Sequence, residues 1–392
     1  MTLIVGKSIE RIIFLSQHKL SQWQYDRLGI DLLKKKGFRV EYWEYTSIVP
    51  PEISTTGIPR GNHAFDGLKS YNSDCALLVA LGELTARDVV VVTGLLFGDK
   101  VFRKISRSKA LWGTPFLGAF PEVSKENSFL LRLQRLVRRP GLIGKFISTR
   151  NPLKCLGVRA FDFYLAGGEF LPKHHLINAH TRRIDAHSFD YDRHLLAPRR
   201  ESKAEPAKNV VFLDSYGPFH PDYETLGISF PCSAEEYFPN CNSFFRLVEE
   251  RFGCSVVIAA HPRSRYEGRG NLFEERSVVR DHTRQLIQEA KLVLASNSTA
   301  VSFAVIYNKP IIFLAINPRV RNICDMKIRC LASLFGKQPI HWTGDENVDW
   351  DRELTIDEKR YTEYMATYIK KPGSPEKPCW EVFANYLETL PG

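Results

Sequence analysis

No stretch of the chain approaches the roughly 20 consecutive apolar residues needed to cross a bilayer. The start, Met1-Thr2-Leu3-Ile4-Val5-Gly6-Lys7, lacks the basic opening, long apolar segment and small-residue cleavage site of a secretory signal. The eight cysteines, at 75, 155, 232, 241, 254, 324, 330 and 379, contain no C-x-x-C pair. That argues against a zinc ribbon and against a disulfide framework, and a reducing cytoplasm fits. His174, His175, His180, His187 and His194 crowd one stretch but match no compact ligand pattern such as H-E-x-x-H, so no metal site is expected. Internal repeats and low-complexity tracts are also missing.

One local absence is informative. Between Asn127 and Phe161 there is no acidic residue, yet Arg132, Arg135, Arg138, Arg139, Lys145, Arg150, Lys154 and Arg159 all occur. Phe129, Leu133 and Leu136 repeat at helical spacing with arginines on the other faces. Such a basic amphipathic helix either lies on a membrane surface or packs on a core with a solvated basic face. On the first reading, the segment 127–159 is the contact of a peripheral protein with a membrane surface; on the second it has no such role. The net charge of +10 also admits a nucleic-acid binder. No zinc-finger spacing, RNP-like motif or helix-turn-helix signature accompanies the charge, so no nucleic-acid partner is expected.

At 392 residues the chain exceeds one ordinary core, and two domains follow. Strand and helix signals alternate. Arg11–Leu15 reads as a short buried strand, and Ser21 with Gln24 has the spacing of a capping box for a helix carrying Leu28, Leu32 and Leu33 and stopped by Gly37. Arg39–Tyr45 alternates like a strand. A helix near Asn72–Ala86 leads into the run Asp88–Val92, and Ala160–Ala166 ends at Gly167-Gly168-Glu169. Alternation of this kind indicates parallel βαβ units. The stretch Ala197–Lys208 has almost no large apolar residue and is the best linker candidate. The expected layout is one Rossmann-like domain over 1–200, a second over 201–354, and C-terminal helices over 355–392, broken near Pro372–Pro378. The fold class is α/β, with two parallel sheets facing across a cleft.

The chemistry concentrates in the second half. Ser255–Ala260 runs into His261-Pro262-Arg263, and Leu292–Ala295 runs into Ser296-Asn297-Ser298-Thr299, which opens a helix closed by Lys309-Pro310 before Ile311–Leu314. In open parallel sheets ligands bind beyond the carboxyl ends of the strands, where both turns fall. Unpaired N–H groups at a helix start, with hydroxyls beside them, suit an anion. His261 is the candidate contact to a phosphate or leaving group, with Ser296, Ser298 and the local amides around the anion. The bland alternative makes the hydroxyls an N-cap for the next helix. Arg263 and Arg265 add positive charge nearby.

The His-Pro turn followed by a Ser-rich turn resembles the donor-binding half of bacterial GT-B glycosyltransferases that use CMP-activated acidic sugars. With Asp214-Ser215-Tyr216-Gly217-Pro218 and Phe230-Pro231-Cys232-Ser233-Ala234-Glu235-Glu236-Tyr237 included, the whole chain is most similar to the retaining β-Kdo transferases of lipopolysaccharide O-antigen biosynthesis (the WbbB type). The resemblance implies CMP-β-Kdo as donor, no cofactor or required metal, and a lipid-linked or oligosaccharide acceptor made at the inner membrane. It places the donor among Ser215, Tyr216, His261, Pro262, Arg263, Ser296, Asn297, Ser298 and Thr299. Sialyltransferases and teichoic-type glycerophosphotransferases are the alternatives within this class.

A retaining reaction can run by two displacements through a covalent sugar–enzyme bond. The resemblance puts an aspartate nucleophile at the position held here by Cys232, a departure from the pattern. Ser233 and Glu236 form a capping box, so residue 232 would precede a helical turn whose dipole favours a carboxylate or a thiolate. Cys232 would then trap or disable the reaction; the alternative is an ordinary buried cysteine. Glu169 is a candidate acceptor-side base, or an ordinary surface turn. Asp214 either contacts the donor, orients a catalytic group, or caps its own turn. Arg319 and Arg321 suit a sugar carboxylate, or are merely solvated.

Overall fold

The computed structural model describes residues 9–45, 63–93, 99–118, 121, 157–198, 209–221, 223, 230–315, 323–341 and 347–391. Most of the basic segment 127–159, residues 199–208 of the linker, and Arg319 and Arg321 lie outside them. The chain divides into two compact units, one drawn from 1–119, 134–195 and 370–392, the other from 120–133 and 196–369. Among the described residues no helix is long and apolar enough to cross a membrane.

The first unit is built on β1 (Arg11–Ser16), β2 (Arg39–Glu44), β3 (Leu68–Ser70), β4 (Asp88–Thr93), β5 (Leu111–Phe116), β6 (Phe163–Ala166) and β7 (Arg182–Asp185). They form one parallel sheet in the order β3-β2-β1-β4-β5-β6-β7. Val89 to Val92 are all buried, as expected of a strand covered on both faces. Ser21 does form the capping box with Gln24. The helix it starts, however, is two: α1 (Gln22–Arg27) and α2 (Ile30–Lys35), separated at Gly29. Gly29 sits at φ +57°, and a Cβ there would lie 2.7 Å from Trp380 Cδ1. Close packing by a distant residue thus set the break, which local periodicity could not register. Two further helices, α3 (Asp74–Gly82) and α4 (Asp99–Ser106), cross between strands, and α5 (Phe189–Leu195) follows β7.

The second unit carries β8 (Asn209–Leu213), β9 (Val256–Ala259), β10 (Val278–Val279), β11 (Ala290–Ala295), β12 (Ile311–Ala315) and β13 (Ile340–His341). They too are parallel, in the order β10-β9-β8-β11-β12-β13. The crossings include α6 (Ala234–Phe252), α7 (Thr283–Glu289), α8 (Val301–Ile306) and α9 (Ile323–Leu334). In each sheet the first strand in sequence lies third, and the strand order reverses beside it. The reversal points are β1/β4 and β8/β11, the crevices where doubly wound sheets take ligands.

Past α10 (Trp350–Leu354) and α11 (Glu358–Tyr364) the chain returns to the first sheet. There α12 (Cys379–Glu388) buries Trp380 edge-on to Phe14, 5.0 Å between centroids, and Phe383 5.1 Å from Phe163. Both side chains are fully buried, each contributing about 1.5–3 kcal/mol of apolar burial.

Candidate functional site

The reversal point of the second sheet is assembled from two strand exits. Leu213 of β8 pairs with Ala295 of β11, so the residues just beyond them emerge side by side. Ser296 is fully buried and its hydroxyl donates to Ser215 Oγ at 3.3 Å. Ser215 itself stays half-buried at the rim. Tyr216 takes a left-handed conformation (φ 59°) that turns the chain sharply at this point. Gly217 follows under the Tyr237 ring, where a Cβ would stand 2.8 Å from ring atoms. The Tyr216 side chain points inward and its hydroxyl donates to the Arg265 carbonyl at 3.3 Å. Of the donor residues named from the sequence, Ser296 and Tyr216 therefore support the rim, and Ser215 presents a hydroxyl on it.

Asp214 ties this rim to the neighbouring exit of β9. It is 3% exposed, and its carboxylate accepts from Tyr216 N at 2.8 Å, His261 N at 3.2 Å and Tyr266 Oη at 2.8 Å. Burial pushes its carboxyl upward, and those three donors pull it back. Asp214 thus caps its own turn and holds the His261 backbone, which makes it a positioning residue. His261 Nδ1 accepts from Arg263 N at 3.2 Å, so the neutral ring carries its proton on Nε2. The His220 ring meets His261 edge-on at 4.9 Å, and Arg263 Nη1 lies 3.5 Å from His220 Nε2. Two imidazoles and a guanidinium converge, a setting that attracts an anion. Pro262 is exposed beside them. Ser264 is buried, and its hydroxyl has no partner among the described residues, a polar group whose unmet bond costs about 1–3 kcal/mol.

On the β11 side, Ser298 Oγ accepts from Ala300 N at 3.3 Å. The N-cap of α8 is Ala300, with no side-chain bond, so neither Ser298 nor Thr299 occupies the capping position. Asn297 and Ser298 are half-buried and Thr299 is exposed.

Cys232 immediately precedes α6, whose capping box pairs Ser233 and Glu236 in both directions. The surroundings oppose a thiolate there. Burial first, then the carboxylates of Glu236 and Asp325, push the thiol up to about 11. A helix dipole contributes up to about 2 kcal/mol at a half-buried terminus, about 1.5 pKa units, and is outweighed. Glu169 lies in the other unit, exposed past β6. Gly167 before it is wedged between the exits of β5 and β7, with Leu117 Cα and Ser188 Cα both 3.3 Å from where a Cβ would be. No motif marks His220, Ser264 and Tyr266 in the sequence; only the strand exits bring them to His261. Among the described residues no group of three or more His, Cys, Asp or Glu is arranged to hold a metal ion.

No protein-family model matches the chain, and no curated protein matches it. Solved structures do. The glycotransferase of kitacinnamycin is 12% identical, with 97% of this chain and 100% of that chain covered, at a TM-score of 0.50. UDP-GlcNAc 2-epimerase from Methanocaldococcus jannaschii is 14% identical over 97% and 99%, at 0.49. MurG of Acinetobacter baumannii is 10% identical over 97% and 100%, at 0.48. The chain has the α/β GT-B fold. At such identities the likeness is one of fold.

Proposed function

We propose that the protein is a glycosyltransferase whose second unit holds the phosphate of a CMP-activated sugar, CMP-β-Kdo by the resemblance of its motifs, for transfer to a surface polysaccharide acceptor. The observation that carries this reading is the Ser296–Ser215 hydrogen bond at the β8/β11 reversal, with His261, His220 and Arg263 converging one strand away. The GT-B fold, shared with a glycotransferase, supports it. In this scheme Ser215, Asn297, Ser298 and the turn amides bind phosphate oxygens. His261, with its proton on Nε2, donates to the departing cytidylate as negative charge develops. No metal is called on. Glu169 is proposed to accept the proton of the acceptor hydroxyl, and residue 232 to be the place of the covalent sugar bond, where a protonated thiol is a poor nucleophile.

Calorimetry of the full chain with CMP, UDP, CDP and ADP tests the donor assignment. CMP should bind tightest, and His261→Ala should weaken it by about tenfold or more, the loss of one charge-assisted hydrogen bond. Tightest binding of UDP, or an unchanged CMP affinity in His261→Ala, would overturn it.

A further inference from the structure

We infer that the first unit carries a second anion site, Arg27 with Trp23, that recognises an acidic sugar of the acceptor. The inference rests on the transferase reading, whose donor site lies in the other unit. Arg27 ends α1, on the carboxyl side of the first sheet. Its guanidinium carbon lies over two aromatic rings, 3.8 Å from the centroid of Phe189 and 4.6 Å from that of Trp23. Phe189 is fixed in turn, because its N–H donates to the carbonyl of Leu117 at the exit of β5. Arg27 Nη2 also comes within 3.9 Å of where a Cβ on Gly118 would stand. The side chain therefore spans the exits of β5 and β7, the edge of a parallel sheet where ligands bind.

The arrangement is unusual for a structural arginine. Among the described residues no carboxylate or carbonyl accepts a hydrogen bond from the guanidinium. Burial lowers its pKa to about 10, with Asp190 pulling it back and Arg193 opposing. Stacking on rings satisfies the faces of a guanidinium but not its N–H groups, which lie in its plane and match a carboxylate or phosphate as a fork. Trp23, four residues earlier on α1, is 44% exposed, one of the few large apolar side chains so open in the described structure. An exposed indole beside a half-buried guanidinium with no acceptor among the described residues fits a pyranose bearing an acidic substituent, the ring on Trp23 and the oxyanion on Arg27.

The test is a ligand-observed NMR titration of the full chain with methyl β-glucuronide, glucose 6-phosphate and methyl β-glucoside. At least one anionic probe should bind about tenfold tighter than the neutral one, as expected for a charge-assisted bidentate contact. Whichever anion wins identifies carboxylate or phosphate as the group recognised. Arg27→Gln should erase the preference, Arg27→Lys should restore part of it, and Trp23→Ala should weaken all three probes. Equal binding of neutral and anionic probes overturns the inference, as does a preference that survives Arg27→Gln. Should Arg27→Gln fail to fold, Trp23→Ala decides, and unchanged binding in that variant overturns the site. CMP affinity should be unaltered by either change. Loss of CMP binding in the unaltered protein, with the anion preference intact, would remove the donor assignment and leave this site standing.

Discussion

Replacing Cys232 by aspartate should switch on turnover. With its thiol at about 11, Cys232 is ionised in roughly one molecule in 10⁴ at pH 7. Burial and the nearby carboxylates of Glu236 and Asp325 are responsible, and they would act on an aspartate as well. An aspartate, however, starts from about 3.9, so even an upward shift of two units leaves it ionised at neutral pH. The population of competent nucleophile rises by about four orders of magnitude. A thiolate is intrinsically the better nucleophile, which offsets part of that gain, and a net increase of at least about 100-fold in kcat is expected. CMP release from CMP-Kdo in the presence of acceptor measures the rate, and intact mass detects the covalent sugar adduct. Cys232→Ala supplies the baseline. Any residual rate of the unaltered protein should climb about tenfold per pH unit toward pH 11, the signature of a thiolate. An aspartate variant no faster than the cysteine form, or a residual rate indifferent to pH, would refute the placement of the nucleophile at residue 232.

Three further outcomes follow from the packing. Gly29→Ala forces a side chain into the left-handed region and against Trp380, 2.7 Å from Cδ1, and should cost about 2–4 kcal/mol in urea denaturation. Asp214→Ala strands the N–H groups of Tyr216 and His261 and the Tyr266 hydroxyl, and should lower stability by about 3–5 kcal/mol while weakening CMP binding; loss of stability alone would separate Asp214 from the site. At Asp88 burial pushes the carboxyl up, but bonds from Arg11 at 2.7 Å and from Thr85 outweigh it, so the folded value lies below the unfolded one. Its contribution is then present above about pH 4 and lost as pH falls through the folded value, and Asp88→Asn should flatten that acid arm of the stability profile.

Much of the fold was legible because buried parallel strands advertise themselves. Asp88–Val92 and Ile311–Leu314 are apolar at every interior position, and both are interior strands of their sheets. The Leu111–Phe116 strand is hidden in the sequence for a physical reason. Pro115 argues against an interior strand, yet the ladder to β4 ends at Gly113, and the Thr114 hydroxyl bonds the Val92 carbonyl in its place. Gly113 is required as well, since a Cβ would collide with the Phe163 carbonyl at 2.1 Å. The return of Trp380 and Phe383 to the first sheet was equally invisible, because nothing local to α12 says which core it covers. At the candidate site, spacing put His261 and Ser296 just past two strands, which is where β9 and β11 end. It could not tell that Asp214 and Tyr216 face inward, nor that His220 arrives from a neighbouring loop.

Both sheets share the reversal that makes a ligand crevice, so order alone does not choose between them. Side chains do. At β1/β4, Ser16 is buried with its hydroxyl accepting from His18 N at 3.1 Å, and the Thr93 hydroxyl donates to the Leu15 carbonyl at 3.2 Å. Glu44 adds a carboxylate at the end of β2, held by Leu20 N and Ser70. At that edge the Ser16 and Thr93 hydroxyls already have partners, and Glu44 sets a carboxylate beside them, which disfavours a phosphate. At β8/β11, Ser215 remains at the rim and the converging side chains are His220, His261 and Arg263. Hydrogen exchange with and without CMP should therefore slow at residues 214–216, 261–264 and 296–299, where bound nucleotide restrains the exits, and stay unchanged at 16–21. Protection at 16–21 instead would mean that the nucleotide belongs to the first sheet, and that the charges gathered around His261 serve another anion.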